Sequence, residues 1–182
     1  SRSPDPTCRA EARAARRARF VTPAAFQSPL AHPPRVLLLG LGNDILTDDA
    51  IGLRVVAALR ERVRDKKHVT AVETAEMGLS LLDFMVGFDR LVLVDAVQTC
   101  QAKPGFVHEI SAEDLSSQPA LSPHFLGVGE VLALGRQLGL SMPREVKIFA
   151  IEVGDPFTVG TELSPELKAA LPGIIHRVEA AL

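Results

Sequence analysis

The stretch that most limits the folding choices of this chain is an unbroken apolar run at 36–39 that empties into Gly40, Leu41, Gly42 and Asn43 and then into Asp48, Asp49, Ala50, Ile51 and Gly52. An apolar run without polar alternation suits a strand covered on both faces, as in a parallel sheet. The glycine-rich turn feeds adjacent carboxylates into the start of a helix, where a phosphate-binding loop would leave room for its anion. Carboxylates repel phosphate, so the loop suits a cation better than a dinucleotide.

Strand and helix patterns alternate beyond it. Thr47 is placed as the N-cap of a helix reaching to about 62, with Ile51, Val55, Val56 and Leu59 inward and Arg54, Arg60 and Glu61 outward. A strand is expected at 69–73, and a helix at 78–86 with Leu79, Leu82 and Met85 buried. The run Leu91, Val92, Leu93, Val94 and Asp95 is the clearest strand. The next, at 105–110, follows too soon for a crossover helix and is expected to be antiparallel, at an edge. Ser122 and Pro123 have the form of an N-cap and first-turn proline for a helix to about 138. A strand at 146–151 and a helix opened by Ser164, Pro165 and Glu166 complete the order βαβαββαβα. This predicts an α/β three-layer sandwich: a twisted five-stranded, mostly parallel sheet with one antiparallel strand and helices on both faces. Ligands of such sheets bind outside the carboxyl ends of the parallel strands.

Two segments are expected. Residues 1–34 hold six arginines against two acids and read as a disordered or partly helical leader, while 35–182 form one α/β domain. Arg16 and Arg17 have the form of an export signal, but Thr22, Pro23, Gln27, Ser28 and Pro29 interrupt the apolar stretch it requires. The acidic balance of the remainder, with no Trp or Tyr, excludes a basic, aromatic nucleic-acid surface. No apolar run reaches membrane-spanning length. With only Cys8 and Cys100, a disulfide framework is not expected and a reducing, cytoplasmic location is. A monomer is expected.

The chemistry rests on few residues. Asp48 and Asp49 fit helix-start electrostatics, yet neighbours on a helix point about 100° apart, so one can serve the helix while the other reaches the crevice. Asp95 ends a buried strand, where ligands bind. His124, in the first turn after Pro123, is favoured as the neutral, metal-binding ring by the helix dipole. Two carboxylates and an imidazole suit a borderline divalent ion such as zinc, nickel or cobalt. Gly40 and Gly42 without a third glycine, followed by acids, disfavour a nicotinamide site, and no P-loop lysine follows. Cys100 with His124 as base is a weaker alternative; Glu76, Asp83, Glu152 and Asp155 are expected to be solvated or supporting acids. A hydrolase holding its own zinc stays open.

Three motifs in order carry a family resemblance: Gly40, Leu41, Gly42 and Asn43 with Asp48 and Asp49; the strand from Val92 to Asp95 with Ala96 and Val97; and Ser122, Pro123, His124, Leu126 and Gly127. Over about 35–180 the chain resembles the hydrogenase maturation proteases, endopeptidases that trim the C-terminal extension of nickel-iron hydrogenase large subunits. The resemblance implies a mainly parallel five-stranded sheet and a metal-binding, catalytic set of Asp49, Asp95 and His124. It also implies loop-shaping roles for Gly40, Gly42 and Asn43, with water as the attacking group. The nickel would come with the precursor, the implied partner, and no organic cofactor is implied; a non-proteolytic module or chaperone that checks a metalloprotein precursor for nickel stays open beside this reading. Asp49 stands where relatives often have Glu, Ala50 where Gly is common, and Glu76 and Glu162 add charges that bear on substrate preference.

Overall fold

The inner strands are the ones whose sequences lack polar alternation. The computed structural model describes residues 33–111 and 123–182, with side chains from 127 onward in the second segment. Five strands, β1 (Val36–Leu41), β2 (Val69–Thr74), β3 (Arg90–Val97), β4 (Val107–Ser111) and β5 (Glu145–Glu152), form one sheet in the order β2-β1-β3-β5-β4. All pairings are parallel except β4 with β5. The short connection after β3 therefore does produce an antiparallel edge strand. Residues 1–32 of the leader, Ser122 and the segment 112–121 lie outside the described residues.

Among the described residues four α-helices cover the sheet: α1 (Ile51–Arg62), α2 (Leu81–Met85), α3 (Pro123–Gln137) and α4 (Pro165–Glu179). Because side chains alternate along a strand, each inner strand feeds both layers. Val36, Leu38, Val92, Val94, Phe149 and Ile151 meet Ile51, Val55, Val56 and Leu59 of α1 and Leu167, Ile174 and Val178 of α4. Leu37, Leu39, Leu91, Leu93, Ile148 and Ala150 meet Leu81 and Met85 of α2 and Val128, Val131 and Leu132 of α3. Each of these side chains larger than alanine contributes about 1.5–3 kcal/mol by leaving water. At the start of α4, Ser164 Oγ accepts from Leu167 N at 3.5 Å, with Pro165 in the first turn.

Two local expectations fail. Thr47 is not an N-cap: its hydroxyl donates instead to the Asp155 carbonyl at 2.8 Å, and a 3-10 turn, Asp48–Ala50, precedes α1. Leu79 is 65% exposed, not buried. Gly78–Ser80 winds as a 3-10 turn, whose three residues per turn shift the buried face onto Leu81 and Met85. Among the described residues no helix is long and apolar enough to cross a membrane.

Candidate active site

The strand order sets where a crevice opens. The chain leaves β1 through α1 on one face, while α3, on the other face, leads into β5, the neighbour of β3. Between β1 and β3 the covering helices thus switch faces, and at such a point the layers part beyond the carboxyl ends of the strands. Asp49 follows β1 and Asp95 lies near the end of β3, so both belong to the carboxyl edge of the sheet. The seating of α1 at this edge depends on Gly52. A Cβ there would strike the carbonyl oxygens of Leu41 and Val94, so only glycine lets α1 start against the ends of both strands.

The paired acids divide their work. Asp48, 0% exposed, accepts from Ser164 N at 2.8 Å and Asp155 N at 3.2 Å, tying the start of α1 to the start of α4. Asp49 is half-buried, and its Oδ2 accepts from Asn43 N at 2.8 Å. It lines a cavity of about 370 Å3 together with Gly42, Asn43, Glu76, Met77 and Phe157. Asn43 Oδ1 accepts from Ile45 N at 3.2 Å, closing the turn. Gly42 has φ +146°, and a Cβ on it would meet the Asp49 carbonyl. Gly40, in β1, faces Gly52. The 43–47 loop is clasped from outside by Thr47 N to Thr158 O at 2.9 Å and Gly160 N to Ile45 O at 3.0 Å. Two acids on the cavity wall give it a negative field that favours cations.

Asp95 is 0% exposed, and its Oδ1 accepts from Ala96 N at 2.9 Å. Strand alternation and its pairing with Ala150 put it on the face covered by α2 and α3. His124 lies in the first turn of α3, but its side chain lies outside the described residues. Its helix leads into the amino end of β5, so α3 starts at the carboxyl edge of the sheet. Gly127 also packs against Gly78, immediately after the Glu76 and Met77 that line the cavity. Among the described residues no three His, Cys, Asp or Glu side chains form a metal-binding group.

Of the four acids expected to be solvated or supporting, Glu152 is the buried, supporting one. It is 1% exposed, and its carboxylate accepts from Thr99 N at 2.8 Å, Thr99 Oγ1 at 2.7 Å and Cys100 N at 2.9 Å, with His108 Nε2 at 3.1 Å. Burial raises its pKa, but the hydrogen bonds from Thr99, His108 and Cys100 outweigh it and hold the group below its ordinary 4.5. A depressed carboxyl pKa adds stability above the unfolded value, and that stability is lost as pH falls through the folded one. The Tm difference between wild type and Glu152→Gln should therefore be widest near neutrality and close as the pH falls below the ordinary glutamate range, in a thermal-unfolding pH series. The signal was available: Glu152 ends an apolar inner strand much as Asp95 does. Glu76, Asp83 and Asp155 are exposed as expected.

The fold and its acid-lined opening define a class: doubly wound α/β proteins that work at the carboxyl edge of the sheet. The sequence model of the family described as Hydrogenase maturation protease matches residues 53–181. The Hydrogenase 2 maturation protease of Escherichia coli (strain K12) is 32% identical over 153 residues, 81% of this chain and 90% of that protein. Hydrogenase expression/formation protein HupD of Rhizobium leguminosarum bv. viciae is 27% identical, over 81% of this chain and 75% of its own. Among solved structures, the hydrogenase maturating endopeptidase HybD from E. coli superposes with a TM-score of 0.68 at 29% identity, covering 81% of this chain and 91% of that one. The [NiFe] hydrogenase maturation protease HybD from Thermococcus kodakarensis gives 0.63 at 29%, covering 81% and 98%. This chain belongs to the hydrogenase maturation protease family, and is an endopeptidase.

Proposed function

We propose that the protein removes the C-terminal extension of a nickel-iron hydrogenase large-subunit precursor after nickel has been inserted, and that Asp49, Asp95 and His124 recognise the nickel the precursor carries. The observation that carries this reading is the split of the acid pair. Asp48 is consumed by two backbone N–H groups of distant segments, whereas Asp49 is turned to the cavity wall by Asn43 N. An acid oriented towards an opening at the switch point, with Asp95 on the neighbouring strand end and His124 at the start of α3, supplies a mixed oxygen and nitrogen donor set suited to nickel.

A divalent ion held beside a peptide bond can polarise its carbonyl or activate water. The chain's own residues orient that centre: Asn43 N fixes one oxygen of Asp49, and Gly42 and Gly52 permit the close approach of turn, strand and helix. The precursor's tail would enter along the exposed rim that includes Met77 and Phe157, the latter 76% exposed.

The test uses matched nickel-loaded and nickel-free precursors incubated with the protein and weighed by mass spectrometry. The loaded precursor should be shortened and the nickel-free one left intact. Equal trimming of both would overturn the nickel requirement, and an intact loaded precursor would overturn the cleavage itself.

A further inference from the structure

The buried carboxylate of Glu152 takes no part in the reading above, yet desolvating an acid costs several kcal/mol unless partners compensate. Its partners are specific. Four donors converge on the two oxygens: Thr99 N and Cys100 N on Oε1, Thr99 Oγ1 and His108 Nε2 on Oε2. Three of them belong to the segment that leaves β3 four and five residues after Asp95. That segment is bent there, because Cys100 adopts φ +58°, a left-handed conformation that costs a non-glycine residue energy and persists only where surroundings hold it. Further bonds tie the same segment to the end of β5: Gln98 Nε2 donates to Gly154 O at 2.8 Å and Val153 N to Val97 O at 2.8 Å. By strand alternation Glu152 and Asp95 lie on one face, the face on which α3 starts.

We infer that Glu152 is a positioning residue for peptide cleavage: with His108 behind it, it fixes the 98–101 segment as a rigid wall beside Asp95, against which the precursor tail is aligned. This rests on the reading given under Proposed function and adds a wall to its site. A hydrophobic residue at 152 could fill the same space, but it would leave the Thr99 and Cys100 N–H groups without this acceptor and the bend at Cys100 unsupported. The wall would then sample other conformations, and misplacement by about 1 Å of groups that orient a reacting bond costs about 100-fold in rate.

The test compares Glu152→Ala, Glu152→Gln and Val178→Ala on the full chain with a nickel-loaded precursor at saturating and sub-saturating concentrations. Val178 is a fully buried residue of α4, so its truncation lowers stability without touching the wall. Glu152→Ala should lower kcat about 10- to 100-fold with KM nearly unchanged. Glu152→Gln should stay within about threefold of wild type, since its amide oxygen can take both N–H groups and the Thr99 hydroxyl and His108 ring can each act as acceptor. Val178→Ala should lower Tm and keep kcat. Amide exchange at Thr99 and Cys100 should accelerate in Glu152→Ala alone. Wild-type kcat in Glu152→Ala, or a loss no greater than in Val178→Ala, overturns the inference. Should Glu152→Ala fail to fold, Thr99→Val removes one donor and should lower kcat in the same direction; an unchanged kcat there overturns it equally. A wild-type chain that leaves the loaded precursor intact overturns the proposed function and this inference with it.

Discussion

Asp49→Asn is expected to stop precursor processing while leaving Tm nearly unchanged, and Asp48→Ala to do the reverse. The two residues are adjacent, of one type, and in the same turn, so any difference comes from what each carboxylate touches. Asn in place of Asp49 keeps an oxygen for Asn43 N, the only bond given to this side chain among the described residues, and loses the charge that faces the cavity. Removing one electrostatic contributor from a reaction centre costs about 100- to 1000-fold in rate. Ala in place of Asp48 leaves Ser164 N and Asp155 N without their acceptor. Bonds to charged groups are worth about 1.5–3 kcal/mol each, so about 3 kcal/mol or more should be lost, and Tm should fall by roughly 6–12 °C in a domain of this size. Mass spectrometry of the precursor and thermal unfolding of both variants check the pair. Processing by Asp49→Asn at the wild-type rate would remove Asp49 from the site.

That the roles divide this way follows from the fold more than from the loop. A strand emptying into Gly40 and Gly42 sets the acids near the carboxyl edge, but which of them faces inward depends on Asp155 and Ser164, 107 and 116 residues along the chain from Asp48. Local patterns were legible where the packing is locally encoded. The unbroken apolar run of β3 reports burial on both faces, the spacing of Ile51, Val55, Val56 and Leu59 reports the face of α1, and the short link after β3 forces β4 to be antiparallel. Ser164 and Pro165 announce α4 because a cap acts within one turn.

Other features depended on partners from afar. Thr47 looks like a cap until Asp155, 108 residues on, supplies a carbonyl for its hydroxyl. Leu79 looks buried on a 3.6-residue period, which the chain does not follow in that turn. Glu152 needs Thr99, Cys100 and His108, between 44 and 53 residues away, before its burial is affordable. Of the expected ligands, Asp49 lies in the turn after β1, Asp95 near the end of the neighbouring β3 and His124 in the first turn of the helix that begins at the same edge. The strand order explains why motifs so distant in sequence come to one edge of the sheet.

Gly52→Ala tests the geometry that seats the start of α1 against the ends of β1 and β3. A methyl at this position would meet the carbonyls of Leu41 and Val94, and neither can yield readily, since both belong to paired central strands. Either α1 lifts from the sheet or the strands part. Overpacking of this kind reaches about 3 kcal/mol, a Tm loss of roughly 6–12 °C. The fraction that remains folded should also be impaired, because lifting α1 carries Asp49 away from the ends of β1 and β3, and a displacement near 1 Å is worth about 100-fold in rate. Gly173→Ala is the control. That glycine lies inside α4 with open space around its missing Cβ, and alanine favours a helix over glycine by about 1 kcal/mol, so Tm should hold or rise with processing intact. A Gly52→Ala protein as stable and as active as Gly173→Ala would mean that α1 does not need to press on both strand ends, and the physical link between the start of this helix and the site would be lost.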